Sequence, residues 1–534
     1  MKRRNINSRL RLFGAALTMS SSFLIADISG TVFKDLPMSG TTLNTYGSKD
    51  SNEPGISGVS VKGVDASGAT AQATTAADGT YTLTGLTGAV RVEFSVPSGL
   101  KESFSGSANN SAVRFVNDGD TVDFALHDPL DFSSTANPKV VTANNFAGTR
   151  ASNPDENVGL YVYNWDNSTT PSSAAKFSEL GSVWGVAYDR KKKRVFVAAR
   201  LQRQSELGPL GIGGIYVFNA SSGTPVSSGN FDLQGVSGID FGSVDRSGGD
   251  NDINEATQPS HDLDAFDKVG KIGMGDIEIG PDGKTLWIVN LNERALIQVD
   301  VSGANLPGSV TQTKLDSISG LPSCGSDVFR PWALGFNEGR GYLGGVCSAE
   351  NSKDKSKLKA YVVSFDPNNL SSGFSQELSF NLDYPREDVG GGGGNRLGAW
   401  NPWAKNWNEL EAFKTPSGVS SWSHYSAPQP ILSDITFSSN GDMIIGMQDR
   451  FGAQLGIYNY PAISGNESFI SANAAGDILK ACKIGEAYSI EGSPGCPTND
   501  PGTGAATSRT DDGPSKNGEF FWADETSSEH NEAT

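Results

Sequence analysis

The sequence predicts an all-β protein, with a small N-terminal β-sandwich followed by a β-propeller of about five to seven blades. Three observations support this fold class. Apolar and polar residues alternate over short runs, and no long segment shows the 3.6-residue apolar period of a helix. The chain contains 64 glycines, which favours many turns between short strands. A strand-turn-strand pattern also recurs four times between residues 182 and 460, as in propeller folds.

Length and charge narrow the class of protein. A chain of 534 residues exceeds one ordinary domain, so we expect two or more hydrophobic cores. The formal net charge of -18 argues against a nucleic-acid partner, because phosphate binding needs Lys and Arg concentrated on one face. Basic clusters occur at residues 2–11 and 191–194, and the second lies in a predicted hairpin turn as a solvated charge run. The acidic surface suits extracellular solubility and divalent-cation binding.

The first 26 residues resemble a secretory signal peptide. A basic start, with Lys2 and Arg11 at its limits, precedes an apolar stretch that ends at Ala26. Elsewhere no segment approaches the roughly 20 apolar residues that span a bilayer. We therefore expect a secreted, extracellular or cell-surface protein that does not span a membrane.

The four cysteines also indicate an oxidising compartment. Cys324 lies near Cys347 in sequence and Cys482 lies near Cys496, which favours two local disulfides among the three possible pairings. Each bridge would stabilise a loop by about 2–4 kcal/mol. A structural zinc site is less consistent with these wide spacings.

Residues 27–128 form the predicted sandwich, and residues 129–150 a linker. The segment ISGTVFKD begins the first strand at Ile28, and Asp78-Gly79 forms a tight turn into the strand TYTLTGL. Together with the strands that end in DTVDFALHD, these segments fit a seven-strand sandwich of about 100 residues.

Three stretches of this region carry a family resemblance. GTVFKD, KDSNEPGISGVSV and DGTYTLTGL resemble, in that order, the SdrD B-like domain, a Cna-B-related sandwich of bacterial cell-surface proteins. The resemblance implies calcium bound by the first loop, with Asp35, Asp50, Asn52 and Glu53 as ligands, and calcium does prefer such hard oxygens. The loop between Asp35 and Asp50 is longer than in the family. The alternative is that these side chains only solubilise a turn.

Residues 151–534 form the predicted propeller. Hairpins are expected from Val183, Gly275, Pro331 and Ser433, and Asp282-Gly283 and Asn440-Gly441 supply the turn conformations that two of them require. Each hairpin is followed by a third predicted strand, and these strands are GIYVFN, ALIQVDV, AYVVSFD and LGIYNY. NVGLYVYNWD is predicted as an orphan outer strand and GDILKACKIG as part of a further blade. No apolar run after Cys496 is long enough to complete a blade, so we expect an incomplete propeller and a portion of a longer surface protein.

The propeller region carries a second resemblance. GSVWGVAYD, LGPLGIGGIYVFN and VGKIGMGDIEIGPDGKTLWIVNL look like a bacterial family in which an SdrD B-like domain precedes a YVTN or NHL-type propeller. This resemblance implies a surface location and a protein-interaction or scaffold role.

Carboxylates at the starts of two inner strands are candidate channel ligands. Asp276 and Asp434 could point into the central channel and share a cation with Asn290 or Asp449. The alternative is that they accept hydrogen bonds from backbone amides of a neighbouring blade. The sequence contains no Ser-His-Asp order, zinc-protease motif or phosphate loop, so the balance is against an enzyme.

Trp400, Trp403, Trp407 and Trp422 form the densest aromatic stretch. Exposed aromatic side chains suit glycan stacking or a protein-binding hot spot. The alternative, which we favour, is that they pack between blades.

Three functional hypotheses follow. In the first, a secreted surface protein acts in adhesion, interaction or scaffolding by binding extracellular proteins, glycans or copies of itself. In the second, the propeller is a calcium-dependent lactonase, lyase or esterase-like enzyme. In the third, the chain is a structural subunit of an extracellular filament or sheath.

Overall fold

The structure is a computed structural model that describes residues 26–497 with gaps, and these gaps are 36–37, 40–41, 44–46, 51–52, 104–110, 130–136, 167–169, 222–223, 338, 385–398, 417–423, 439, 473 and 486. Residues 1–25 of the predicted signal peptide, Asn52 and Trp422 therefore lie outside the described residues. The chain divides into two compact units, with the boundary between residues 132 and 133.

The first unit contains two four-stranded sheets, with strand orders β6-β1-β10-β8 and β5-β4-β7-β9, and a small β2-β3 hairpin. Its strands are β1 (Ile28–Lys34), β2 (Met38–Ser39), β3 (Thr42–Leu43), β4 (Ser60–Asp65), β5 (Thr70–Thr74), β6 (Thr80–Leu83), β7 (Ala89–Phe94), β8 (Lys101–Glu102), β9 (Val113–Asn117) and β10 (Phe124–His127).

The sandwich of the first unit follows from alternating burial. In β7, Val90, Val92 and Phe94 are buried while Ala89 and Arg91 are exposed, so one face of the strand joins the core. Phe94 stacks on the Phe124 ring of the other sheet at 4.5 Å between ring centroids. The predicted sandwich is confirmed, although the two described sheets contain eight strands where seven were expected, because the short β8 adds an edge.

The second unit is built mainly from five antiparallel sheets in chain order. The first three contain β11 (Lys139–Ala143), β12 (Val158–Asn164) and β13 (Ser172–Lys176), then β14 (Val183–Asp189), β15 (Arg194–Ala199), β16 (Gly214–Asn219), β17 (Val226–Ser227) and β18 (Phe231–Asp232), then β19 (Met274–Ile279), β20 (Thr285–Asn290), β21 (Ala295–Asp300) and β22 (Val310–Lys314).

The fourth and fifth sheets complete this series. They contain β23 (Phe329–Asn337), β24 (Arg340–Cys347), β25 (Lys359–Phe365) and β26 (Ser375–Asn381), then β29 (Pro430–Phe437), β30 (Met443–Asp449), β32 (Asp477–Ile484) and β33 (Ala487–Ile490). A small sheet joins β27 (Thr415–Pro416), β28 (His424–Ser426) and β31 (Ser471–Ala472).

Helices are short and lie in the connections. The α-helices are α1 (Phe177–Leu180), α2 (Ala265–Lys268), α3 (Trp407–Glu411) and α4 (Arg450–Gln454). The 3-10 turns are Arg150–Ser152, Gly211–Gly213, Val236–Gly238, Gly249–Asn251, Leu315–Ser317, Lys355–Lys357 and Leu370–Ser372.

The sheets of the second unit stack face to face in chain order. One hydrophobic cluster joins the first and second sheets, another joins the second and third, and a third joins the third, fourth and fifth. The first strands β14, β19, β23 and β29 lie side by side in sequence order. The predicted all-β architecture is confirmed, while the number of blades stays a prediction.

All four predicted hairpins are present, but the turn at Asp282-Gly283 is longer than the two residues expected, because regular pairing ends at Ile279 and Leu286. Asp282 accepts a backbone hydrogen bond from Lys284 at 2.9 Å through Oδ1, and Gly283 has a φ of 63°. Gly441 has a φ of 85° in the β29-β30 turn, a backbone region that glycine enters without steric cost.

The structure corrects four assignments. LGIYNY from Leu455 is not a strand, since α4 precedes it and the chain then runs irregularly. The third strand of that sheet is instead β32, within the segment assigned to a further blade. β12 is the centre of a three-stranded sheet and not an orphan, and β11 occupies part of the predicted linker.

Both predicted disulfides are present. Cys324 is bonded to Cys347 at the end of β24, and Cys482 in β32 is bonded to Cys496 after β33. Each bridge thus fastens a connecting segment to a strand of a stacked sheet.

Candidate functional site

A β-bulge interrupts the first strand of each of four sheets. The pairing register shifts at matching places, between Val183 and Val186, Met274 and Ile277, Pro331 and Leu334, and Leu432 and Asp434. Bulges re-aim the side chains beside them. Trp184 and Trp332 stand two residues before the points where regular pairing resumes, at Val186 and Leu334. Asp276 and Asp434 stand one residue before Ile277 and Ile435, so the tryptophans and the aspartates lie on alternate strands at neighbouring but different positions.

Three carboxyl groups interact near these bulges. Burial, followed by the charges of Asp434 and Glu278, raises the pKa of Asp276 well above its usual value. Burial and the Asp434 charge raise the pKa of Glu278 to about 8, and burial raises the pKa of Asp434. Asp434 is accessible to water, yet the surrounding protein displaces enough solvent to disfavour its charged form. Glu278 was not among the predicted ligands, although it lies two residues after Asp276 on the same strand face.

Asp276 also has a structural role. Its Oδ2 accepts a hydrogen bond from the backbone N–H of Leu334 at 3.1 Å, and its Oδ1 accepts one from Ile277 at 2.8 Å. The first of these bonds ties β19 to β23. Both oxygens therefore have backbone donors, as in the structural alternative stated for this residue.

The other two predicted channel ligands lie in different hydrogen-bond networks. The Asn290 amide donates to the Asp240 carbonyl at 3.1 Å and to Gln312 Oε1 at 2.9 Å. Asp449 accepts backbone hydrogen bonds from Phe451 at 2.8 Å and from Ala475 at 3.1 Å, and the first of these caps α4. Of the four predicted channel ligands, Asp276 and Asp434 interact electrostatically. Asn290 and Asp449 instead hold connecting segments in place through hydrogen bonds.

The Arg200 side chain lies between the tryptophans of two bulged strands. Its guanidinium lies 4.7 Å from the ring centroid of Trp184 and 5.5 Å from that of Trp332. It also donates to Gln448 Oε1 at 3.0 Å. A buried cation between two aromatic faces is stabilised by the ring quadrupoles, so Arg200 holds β14, β23 and the end of β30 together.

The described tryptophans of the aromatic stretch are packing residues. Trp400, Trp403 and Trp407 are all at most 4% exposed, so the hypothesis of an exposed binding surface is wrong for them. Trp403 donates to the Pro430 carbonyl at 2.8 Å, and the Arg450 guanidinium lies 4.7 Å from its ring. Trp407 packs beside Phe266.

The first loop of the sandwich contains the other predicted metal ligands. Asp35 is buried, its Oδ2 accepts from the Gly47 N–H at 3.0 Å, and its Oδ1 has no hydrogen-bond partner. Glu53 is also buried, and its Oε2 accepts from the Asp50 N–H at 2.8 Å. Across the part of the chain that the structure describes, no group of three or more His, Cys, Asp or Glu side chains is placed to hold a metal ion. The same part contains no helix with the length and apolarity to cross a membrane.

Comparison with known proteins agrees with the fold of the first unit. Residues 28–133 match the model of the SdrD B-like domain. This unit is an SdrD B-like domain. The bacterial origin of the chain and the YVTN or NHL type of its second unit stay predictions.

The curated relatives are colossins of Dictyostelium discoideum. The chain is 28% identical to Colossin-D over 351 residues, which cover 64% of this chain and 31% of Colossin-D. It is 25% identical to Colossin-C over 431 residues, which cover 73% of this chain and 37% of that protein. The matched segments thus span 31% and 37% of the lengths of these two relatives.

Similarity to solved structures is weak. The periplasmic gluconolactonase PpgL of Pseudomonas aeruginosa shares 10% identity at a TM-score of 0.29, over 66% of this chain and 84% of that one. A GH43 protein, BlXynB of Bacillus licheniformis, shares 8% identity at a TM-score of 0.29, over 67% and 53% of the two chains. These values are too low to support a statement about fold or function.

Proposed function

We propose that the chain is an extracellular structural module that acts in adhesion, interaction or scaffolding. The observation that carries the proposal is that all four cysteines are paired in two disulfides that fasten the stacked sheets. Such bridges persist outside the cell and are rare in reducing compartments. The SdrD B-like domain and the similarity to colossins support the same assignment.

Calcium is proposed as a structural ion of the first unit. The orphaned, buried Oδ1 of Asp35 fits a hard cation, because such an atom otherwise loses its hydration without compensation. Asp50 and Glu53 lie in the same loop and would contribute carboxylate or carbonyl oxygens. A bound ion would fix the loop between β1 and β4.

The location is tested by protease shaving of intact source cells. Peptides from both units should be released from the cell surface or found in the medium, while a cytoplasmic marker stays intact. Detection of the chain only after lysis would overturn the proposal.

Calorimetry with calcium and with chelator tests whether the first unit binds calcium, since a ligand that binds the folded state raises its stability. The expected shift is confined to the first unit and is lost in Asp35→Asn.

A second candidate function is an enzyme that uses the carboxyl groups of the second unit. The specific observation in its favour is the pKa of Glu278, raised to about 8, since a carboxyl that keeps its proton at neutral pH can act as a general acid. A hydrolase screen with lactone, ester and glycoside probes tests it. Activity that is lost in Glu278→Gln and kept in Glu293→Gln would support an enzyme, and inactivity of the folded protein would count against it.

A further inference from the structure

An exposed apolar surface lies on the long connection between β30 and β32. Ile457, Tyr458, Ile463 and Phe469 are 69%, 47%, 36% and 54% exposed, respectively. We refer to these four side chains as the apolar surface. Several large apolar side chains that share one exposed segment mark interaction sites in soluble proteins.

The apolar surface is held on a well-bonded base. Buried Arg203 donates to the Gln454 carbonyl at 2.6 Å and to the Tyr460 carbonyl at 2.9 Å. The Tyr460 ring lies 4.8 Å from the His261 ring and 5.7 Å from the Phe469 ring, measured between centroids. The segment is therefore positioned by the scaffold, which lowers the entropy lost when a partner binds.

Exposed acidic residues lie on the same connection as the apolar surface and on the connection before α2. Ser464 and Gly465 lie beside the Asp250 carboxylate, on the connection before α2, and lower the Asp250 pKa. The Asp250 carboxylate is also 3.9 Å from His261 Nε2. Asp252 and Glu255 on that connection and Glu467 beside Phe469 are exposed. A fitting partner would thus combine an apolar or aromatic anchor with a basic rim.

The chain itself presents such an element in the β14-β15 turn, residues 190–193, which we call the basic turn. Lys191 and Lys193 are exposed, and Tyr188 at its base is 46% exposed. Lys192 points the other way and donates to the Val301 carbonyl at 3.3 Å, which fixes the turn against the third sheet.

The basic turn and the residue that anchors the apolar surface lie beyond opposite ends of β15. The turn precedes β15, whereas Arg203, which holds the apolar surface, follows it. A six-residue strand separates the two ends by about 20 Å. One copy therefore cannot bring them together, but two copies can.

We propose that the basic turn of one copy docks on the apolar surface of a second copy, so that copies of this chain associate head to tail. We choose the basic turn as the binding partner because the charges of Lys191 and Lys193 complement the acidic residues near the apolar surface. Tyr188 would supply the aromatic anchor. Because the two surfaces differ, the contact is heterologous and can extend into a filament. The inference rests on the proposed structural function and specifies its partner.

Sedimentation velocity of the full chain over a concentration series is the test. The wild type should self-associate, and two variants should weaken association about tenfold or more, as expected for removal of interface anchors. The turn variant is Lys191→Glu/Lys193→Glu, and the surface variant is Ile457→Ser/Phe469→Ser. Matched controls are Lys284→Glu in the equivalent turn of the next sheet and Val226→Ser at another exposed site, and both should associate like wild type.

Mixing the two variants decides the geometry. The surface variant keeps its basic turn and the turn variant keeps its apolar surface, so the mixture should form a one-to-one complex that grows no further. A monomeric wild type at every concentration, unchanged association of either variant, or the absence of a mixed complex would each overturn the proposal. Unchanged thermal unfolding of all four variants separates these outcomes from misfolding.

Failure of this inference is distinct from failure of the proposed function. A chain that is exposed on cells but monomeric in solution would retain the structural function and exclude the head-to-tail contact. A chain that associates in vitro but is found only in the cytoplasm would support the head-to-tail contact and overturn the extracellular function.

Discussion

At the scale of single residues, Arg450 shows how the stacked sheets are tied together. Its side chain is fully buried and donates to the carbonyls of Val269 at 2.7 Å, Ala404 at 2.9 Å and Asp267 at 2.9 Å. Burial lowers its pKa to about 10, so it stays charged at neutral pH. The Arg450 guanidinium thus supplies the hydrogen bonds that water would otherwise donate to backbone carbonyls of two separate connecting segments.

Substitution of this arginine is the first prediction. Arg450→Met should lower the free energy of unfolding of the second unit by about 3 kcal/mol or more, because it strands several buried carbonyls. Arg294→Met, which removes a surface ion pair with Asp316, should cost less than about 1 kcal/mol. Urea unfolding of both variants measures the difference, and equal losses would contradict this role.

The pH dependence of stability is predicted from Glu278. Its pKa is raised to about 8 in the folded state from an unfolded value of 4.5, so the folded state binds more protons between these values. This contribution is fully present below the unfolded value and is lost as the pH rises through about 8, with a slope of up to about 1.4 kcal/mol per pH unit. Glu278→Gln should flatten the thermal-stability profile in this window. A profile parallel to wild type would contradict the assigned pKa.

The sequence predicted part of this residue-level picture. Asp276 and Asp434 were singled out because each was expected to begin an inner strand, whereas they are the third residue of β19 and the fifth of β29. The charge of Asp434 contributes to the raised pKa of Asp276, and a shared cation stays a prediction. Glu278 carries no such sequence signal, because its burial depends on the neighbouring strands and not on a repeated sequence position. Arg200 could not be found, because its contacts with Trp184, Trp332 and Gln448 join residues far apart in the chain.

At the scale of elements, the Cys482–Cys496 disulfide fastens the segment that contains β33 to the last sheet. The Cys482–Cys496 bridge spans 14 residues and connects β32 to the segment after β33. The double variant Cys482→Ser/Cys496→Ser should lower the stability of the second unit by about 3 kcal/mol, as expected for a loop of this length. Guanidinium unfolding measures the loss, with reduced wild type as the matched comparison. Full stability of the double variant would show that β33 needs no covalent tether.

The elements that were predicted correctly are those whose turns are encoded locally. Gly283 and Gly441 supply the positive φ that the β19-β20 and β29-β30 turns need, so both hairpins carry a local sequence signal. LGIYNY was assigned as a strand from its apolar pattern, but Asp449 caps a helix before it and Arg203 binds the carbonyl of Tyr460. Long-range hydrogen bonds of this kind leave no local sequence signal, so β32 was placed outside the sheet to which it belongs.

At the scale of the whole molecule, the two units have separate cores. Phe124 is fully buried in the first unit and Phe196 in the second. Phe124→Ala should lower only the first unit's calorimetric transition, and Phe196→Ala only the second unit's, each by about 3–5 kcal/mol. Movement of both transitions in either variant would show that the units unfold cooperatively.

The central claim is that this chain works outside the cell as a disulfide-fastened structural module. Its most direct test is thiol trapping, in which source cells are lysed into an alkylating reagent and the four cysteines are mapped by mass spectrometry. We predict that Cys324, Cys347, Cys482 and Cys496 are labelled only after reduction, in the pairs that the structure contains. Labelling of all four cysteines before reduction would place the chain in a reducing compartment and contradict the claim.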